Sequence, residues 1–150
     1  MSMSGTAERL PRRYVIALTA ALGGIAAAAS SQMIVKPAET LQYVVEYTDQ
    51  QSSPRIAIVR GDPAKTPISM FIRMKKSVLP MHSHSSDYQA VVVHGTMKHW
   101  AKGESEAQAP RLGPGSWWYQ PAKQVHTDEC LDECLIYVHN TGKLDTIPDD

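Results

Sequence analysis

Two histidines separated by one residue, His82 and His84, begin the stretch of this chain that is best suited to chemistry. In an extended segment successive side chains alternate between two faces, so both imidazoles point the same way. Two neutral imidazoles held like this can chelate one divalent metal ion. Alone, such a pair beside three serines is more typical of a solvated loop. A third histidine, His126, strengthens the metal hypothesis because it follows Gly115 and Pro121 in a similar context of turn and strand.

The remaining sequence predicts short strands that would position these histidines. Runs of β-branched and aromatic residues alternate with Gly/Pro turns, and residues 31–150 show no convincing helical period. We therefore predict an all-β fold, an antiparallel jelly-roll β-barrel. Ala90–Val93 and Thr96–Ala101 are predicted to form a hairpin with Gly95 at its tip, and the acidic run after His126 is predicted to be a solvated loop. Strands are predicted at 41–47, 55–60, 67–74, 90–93, 96–101, 116–120, 125–127 and 134–139.

Two spaced motifs carry a resemblance to the cupin superfamily. They read His82-x-His84-(x3)-Tyr88-(x6)-Gly95 and Gly115-(x5)-Pro121-x-Lys123-(x2)-His126-(x3)-Cys130. The resemblance covers residues 67–139 and is strongest to single-domain secreted cupins that share a His-x-His-Ser-Ser-Asp-Tyr core and have no assigned reaction. It implies a cupin-like barrel in which the metal ligands are His82, His84 and His126.

The sequence departs from the cupin pattern at three positions. Tyr88 stands where cupins have a glutamate ligand, with Gln89 in its place if the spacing slips by one; Lys123 replaces a glycine and Cys130 an asparagine. Both motif spacings favour Tyr88 on the metal side, where its hydroxyl could serve catalysis as a hydrogen-bond donor. Asp87 is a candidate to orient one of the first two histidines.

A site of three neutral imidazoles suits one divalent transition metal, Zn²⁺, Fe²⁺, Ni²⁺ or Cu²⁺, better than Mg²⁺ or Ca²⁺. Three protein ligands leave coordination positions open, which is typical of catalytic sites. We therefore expect a small metal-dependent enzyme acting on a small molecule. It would be an oxygenase, since the site resembles that of cupin-type thiol dioxygenases, or a hydrolase or lyase. The alternative is a cupin that binds or senses a small molecule or a metal without turnover.

The first 30 residues are predicted to be a cleaved signal peptide. Arg9, Arg12 and Arg13 precede the apolar run 14–29, which ends in small residues. A retained membrane anchor is the alternative, and export by either the general or the twin-arginine route stays open. Residues 31–150 would then form a single domain that is periplasmic or secreted from a bacterium. In an oxidising compartment Cys130 and Cys134 are expected to form a disulfide.

Charge argues against polyanionic partners. The chain has 15 basic and 15 acidic residues, and loss of residues 1–30 removes three arginines and one glutamate, leaving a formal charge of −2. No basic run remains, so we expect a small-molecule ligand, no nucleic acid, and no membrane once the signal is cleaved. A homodimer stays open.

Overall fold

The computed structural model describes residues 32–45, 54–65 and 67–149. The predicted signal peptide, residues 1–30, lies outside the described residues. Among those described, no helix is long and apolar enough to cross a membrane. Two short 3₁₀ turns occur, at Ala38–Thr40 and Glu106–Gln108, and the regular structure is otherwise β-strand.

Nine strands of the described residues form one curled sheet in which every pairing is antiparallel, as the predicted all-β jelly-roll class requires. The strands are β1 (Val44–Val45), β2 (Arg55–Arg60), β3 (Ile68–Val78), β4 (His82–Ser83), β5 (Tyr88–His94), β6 (Met97–Ala101), β7 (Trp117–Gln120), β8 (His126–Asn140) and β9 (Ile147–Pro148). Strands β1, β2, β3, β8, β4 and β9 are neighbours in that order, while β5 pairs with both β7 and β8, and β6 also pairs with β8.

Strand β8 is the centre of this arrangement, because it pairs with four others. On one side it follows β3 and then meets β4, where His126 lies opposite His82. On the other side its first five residues pair with β6 and its last six with β5. The even-numbered residues of β8 point inward with few exceptions, which is the period of two expected of a half-buried strand. Histidine, aspartate and asparagine on that face therefore share one interior.

The structure corrects two predictions about local topology. The predicted hairpin of 90–93 with 96–101 is wrong, because β5 pairs with β7 and β8 while β6 pairs with β8. Gly95, at φ +82°, still turns the chain, but it passes the chain from one half of β8 to the other. The predicted acidic loop after His126 is also wrong: this segment lies within β8, and Asp128 is only 7% exposed.

The interior is apolar apart from one polar region. Its core consists mainly of aliphatic and methionine side chains supplied by β2, β3, β5, β6 and β8. The buried polar residues are His82, Gln120, His126, Thr127, Asp128 and Asn140. Within the core, Cys130 and Cys134 form the expected disulfide, which closes a short loop within β8. Polar side chains that are buried together in an otherwise apolar barrel mark the place to look for a site.

Candidate metal centre

The three predicted ligands converge. His82 lies on β4, His84 directly follows that strand, and His126 is the first residue of β8. Their ring centroids are 4.5–5.2 Å apart, and each ring offers a nitrogen within 4.8 Å of the others. The antiparallel pairing of His82 with His126 brings the two motifs together, as the sequence predicted.

Main-chain carbonyls orient all three rings. The Nδ1 atoms of His82, His84 and His126 lie 2.8, 2.5 and 2.9 Å from the carbonyl oxygens of Pro80, Asp145 and Gln124. A carbonyl can only accept, so each Nδ1 carries the hydrogen and each Nε2 keeps its lone pair. Anchors of this kind fix the tautomer that a metal ligand needs.

The prediction that Asp87 orients a histidine is wrong. Its carboxylate accepts a hydrogen bond from the backbone N–H of Ala122, and its carbonyl accepts one from Thr141. The segment at Asp145 takes that role instead: its carbonyl holds His84, and its carboxylate accepts hydrogen bonds from the backbone N–H and hydroxyl of Ser85. Sixty residues separate these partners, so sequence spacing gave no signal for the contact.

Burial keeps two of these imidazoles neutral. Desolvation lowers the pKa of His84, and it lowers the pKa of His126 to about 4, because the charged form is disfavoured away from water. Neutral imidazole is the form that ligates a metal. The donor set therefore fits a borderline transition-metal ion such as zinc or iron, and the three histidines could hold one.

Tyr88 faces the histidines, as the motif spacing predicted. It is 6% exposed, its hydroxyl lies 3.3 Å from Nε2 of His126, and the indole N–H of Trp118 donates to the hydroxyl oxygen at 3.4 Å. Burial raises the pKa of Tyr88 well above 10, so the phenol keeps its proton at neutral pH. Gln89 is exposed on the opposite face and does not approach the site.

A buried ion pair that the sequence reading missed lies beside the histidines. Nδ1 of His99 lies 2.8 Å from the carboxylate of Asp128, and its Nε2 lies 2.9 Å from the amide oxygen of Gln120. The ring stacks on Trp118 and lies 5.1 Å from that of His126. Burial alone would lower the pKa of His99, but the hydrogen bond and charge of Asp128 raise it. The sequence did contain one signal that Asp128 lies near the site. Asp128 follows His126 by two residues, so in a strand the two side chains point to the same face.

His82 and His84 open onto a cavity of about 50 Å³ in the barrel interior. Most of its lining residues are apolar. Its lining includes Met70, Ile72, Met74, Leu79, His82, His84, Tyr88, Asp128, Ile136, Val138, Asn140 and Leu144. Apolar lining with a few polar groups is typical of small-molecule sites, and the small volume limits an occupant to a few heavy atoms.

Comparison with known proteins places the chain in a family. Residues 25–147 match the family described as "Domain of unknown function (DUF4437)". The chain belongs to this family, and its fold is that of the cupins. No curated protein matches the sequence.

Solved cupin structures share the barrel at low sequence identity. KdgF from Halomonas sp. is 19% identical with a TM-score of 0.54, over 70% of this chain and 92% of that one. An RmlC-like cupin from Shewanella frigidimarina is 14% identical with a TM-score of 0.58, over 73% and 91%. The DMSP lyase DddQ from Ruegeria pomeroyi is 18% identical with a TM-score of 0.58, over 74% of this cupin and 61% of the lyase. At these identities the likeness establishes the fold alone.

Proposed function

We propose that this cupin is a metal-dependent enzyme that acts on a small molecule by proton transfer, as a lyase or hydrolase. The observation that carries the proposal is the convergence of three Nε2 lone pairs, each fixed by a carbonyl bond at Nδ1, beside a small apolar cavity that His82 and His84 line. A divalent transition metal held there would act as a Lewis acid and polarise a bound oxygen or nitrogen group.

Tyr88 is the residue we assign to proton transfer. Its hydroxyl is buried, keeps its proton at neutral pH, and lies beside Nε2 of His126. Trp118 donates to the phenol oxygen, so the O–H hydrogen is free to point toward the histidines. If the lone pair of His126 is used by a ligand, this hydrogen becomes available to a molecule bound in the cavity. Tyr88 would donate to a leaving group or hold the molecule in position.

Two features favour proton transfer over oxygen chemistry. The site contains a protonated phenol, and the carboxylate of Asp128, which lines the same cavity, is paired with His99. Some of the proteins that share the fold are named lyases, which shows that this barrel can host such a reaction. The competing function, binding without turnover, is favoured by one observation: the carboxylate of Asp128 is engaged by His99, and its lowered pKa makes it a weak base.

We also propose that the protein works outside the cytosol. The disulfide between Cys130 and Cys134 supports this, since such bonds persist mainly in oxidising compartments. The partner would be a small molecule rather than nucleic acid or membrane.

Elemental analysis of the purified protein and three of its variants tests the metal site. We expect about one equivalent of zinc, iron, nickel or copper in wild type and in Tyr88→Phe, and none in His84→Ala. Gln89→Ala is the matched control, because Gln89 neighbours Tyr88 in sequence but faces outward. A metal-free wild type, or a Gln89→Ala protein that loses the metal, would refute the site as described.

Turnover by the same proteins tests the role of Tyr88. Against a panel of small esters and β-elimination substrates, we expect Tyr88→Phe to lose about 1–3 kcal/mol of transition-state stabilisation with its metal content unchanged. Oxygen consumption measured in parallel distinguishes an oxygenase. If the phenylalanine variant matches wild type on every substrate turned over, Tyr88 is a core aromatic and has no part in the reaction.

A further inference from the structure

A groove of about 370 Å³ lies on the outer face of the sheet, where β2, β3 and β8 run side by side and the end of β5 meets β8. Arg55 lies directly opposite Arg73, and Arg73 lies opposite Leu135. His94 flanks Leu135 on its other side. The lining residues are Arg55, Arg73, Met74, Lys75, His94, Glu133, Cys134 and Leu135. The volume is in the range of small-molecule sites.

Cations outnumber anions in this groove. Arg55, Arg73 and Lys75 are all exposed there. They face a single carboxylate, that of Glu133, which lies across from Lys75. With His94 neutral, three cations against one anion give the groove a formal charge of +2. In the part of the chain that the structure describes, none of the ion pairs includes these side chains, so their charges are available to a bound anion.

The fold itself gains little from bringing these cations together. Arg55 and Arg73 are direct cross-strand neighbours, and like charges in that arrangement destabilise a sheet. The guanidinium of Arg73 stacks on the ring of Tyr43, 4.1 Å from its centroid, and this contact restricts its orientation before any ligand binds. A pair of adjacent arginines, one of them already oriented, is better explained by a ligand than by stability.

A β-bulge turns His94 toward the same groove. The register of β5 on β8 shifts between Val92 and His94, so these residues do not share a face although they are two apart. Val92 is buried in the core, whereas His94 is exposed and lies opposite Leu135. Bulges that re-aim a side chain in this way are common next to active sites. His94 therefore adds an imidazole N–H donor to the three cations.

We propose that this outer groove binds a small organic molecule with a doubly charged oxyanion group, a phosphate ester or a dicarboxylate. Arginine suits both groups, because its planar guanidinium donates paired hydrogen bonds to two oxygens. A dianion would balance the formal charge of +2, and Leu135 offers apolar contact to its carbon atoms. None of the three metal-site histidines lines the groove, so the inference does not depend on the proposed function.

Titrations with matched anions, followed by NMR, test the groove. At pH 8 and about 0.1 M salt, we expect succinate or ethyl phosphate to bind about fivefold or more tightly than its singly charged counterpart, monomethyl succinate or diethyl phosphate. The backbone signals of Arg73, His94 and Leu135 should shift. The dianion that binds more tightly identifies the ligand as a dicarboxylate or a phosphate ester. Equal binding of dianion and monoanion in both pairs would overturn the proposal.

Single charge variants assign the binding to these side chains. Arg55→Gln and Arg73→Gln should each weaken dianion binding about fivefold or more, whereas Glu133→Gln should strengthen it. Arg60→Gln is the matched control, because it removes the same charge at the far end of β2, roughly 17 Å away and beyond the screening length of about 10 Å. An equal loss in Arg60→Gln, or no gain in Glu133→Gln, would overturn the assignment.

The variant His84→Ala separates this groove from the metal centre. It should lose the metal but bind the dianion as tightly as wild type. If it loses dianion binding, the anion sits on the metal, and the groove proposal falls while the metal site stands. If wild type contains no metal but binds the dianion with the same dependence on Arg55 and Arg73, the proposed function fails and the groove stands.

Discussion

Replacing Asp128 by asparagine tests the protonation state of His99, which the hydrogen bonds around the ring determine. Both ring nitrogens face oxygen acceptors, on Asp128 and on Gln120. The amide of Gln120 cannot be reversed without loss, because its Nε2 already donates to the carbonyls of Pro121 and Gln124. An imidazole that donates from both nitrogens is a cation. His99 is therefore an imidazolium paired with the carboxylate of Asp128.

The magnitude follows from burial of the pair. The side chains of His99 and Asp128 are 12% and 10% exposed, and removing one partner from a buried pair costs about 3–5 kcal/mol. Asparagine keeps an oxygen that can accept from Nδ1, so we expect Asp128→Asn to lose about 2 kcal/mol of the free energy of unfolding. Urea denaturation at pH 6 measures this loss in the free energy of unfolding. The control is Glu133→Gln, at an exposed site on the same strand, which should stay within about 0.5 kcal/mol of wild type.

The pKa shifts of the two residues determine the pH range in which their pairing stabilises the folded protein. The pKa of His99 is raised above 6.5 in the folded protein, so this stabilisation is complete below pH 6.5 and is lost as pH rises through the raised value. The pKa of Asp128 is lowered from 3.8, so on the acid side the stabilisation is lost as pH falls through that lowered value. Asp128→Asn should abolish both dependences. Wild-type stability in this variant at pH 6, or a neutral His99 in ¹⁵N NMR spectra at that pH, would refute the reasoning.

Three further predictions follow from other parts of the structure. Zinc binding, followed by equilibrium dialysis, should persist below pH 6.5, since burial lowers the pKa of His84 and brings that of His126 to about 4; half-release above pH 6.5 would contradict this. Cys134→Ala opens the loop to Cys130 and should cost about 2 kcal/mol in urea denaturation, and an unaltered midpoint would argue against it. Gly95→Ala should cost at least about 1 kcal/mol, because φ is +82° and the new Cβ would overlap the carbonyl oxygen of Glu133; a wild-type melting curve would show that the turn relaxes.

Sequence patterns predicted side-chain directions correctly where the alternation of residues along a strand decides which face each one lies on. Alternation placed Tyr88, Ala90 and Val92 on the buried face of β5 and turned Gln89 outward. The motif spacings predicted that His82, His84 and His126 would meet, and the pairing of β4 with β8 brings them together. Neighbouring residues alone determine which face of β5 each side chain lies on. The meeting of the histidines, which the cupin resemblance implied, depends instead on the long-range pairing of β4 with β8.

Predictions failed where the local composition suggested a loop but pairing with other strands of the barrel holds the segment in a strand. The charge of the acidic run after His126 indicates a solvated loop. Pairing with β3 and β6 nevertheless keeps this run in β8 and turns Asp128 toward the interior. His99 then provides the cation that this carboxylate needs, from 29 residues away. Contacts of that separation cannot be inferred from one sequence by periodicity, which explains why the Asp128–His99 pair was not predicted.

Lys123 shows how the site geometry survives a departure from the cupin pattern. It occupies the motif's glycine position and adopts φ +65°, a left-handed conformation that costs a side-chain-bearing residue about 1–2 kcal/mol. Two hydrogen bonds hold it there: its N–H donates to the carbonyl of His84 at 2.8 Å, and the neighbouring N–H of Ala122 donates to Asp87 at 2.8 Å. These bonds join the second motif to the first, a few residues before His126. The strained residue therefore belongs to the link between the segments that carry His84 and His126, and these two hydrogen bonds offset the cost of its conformation.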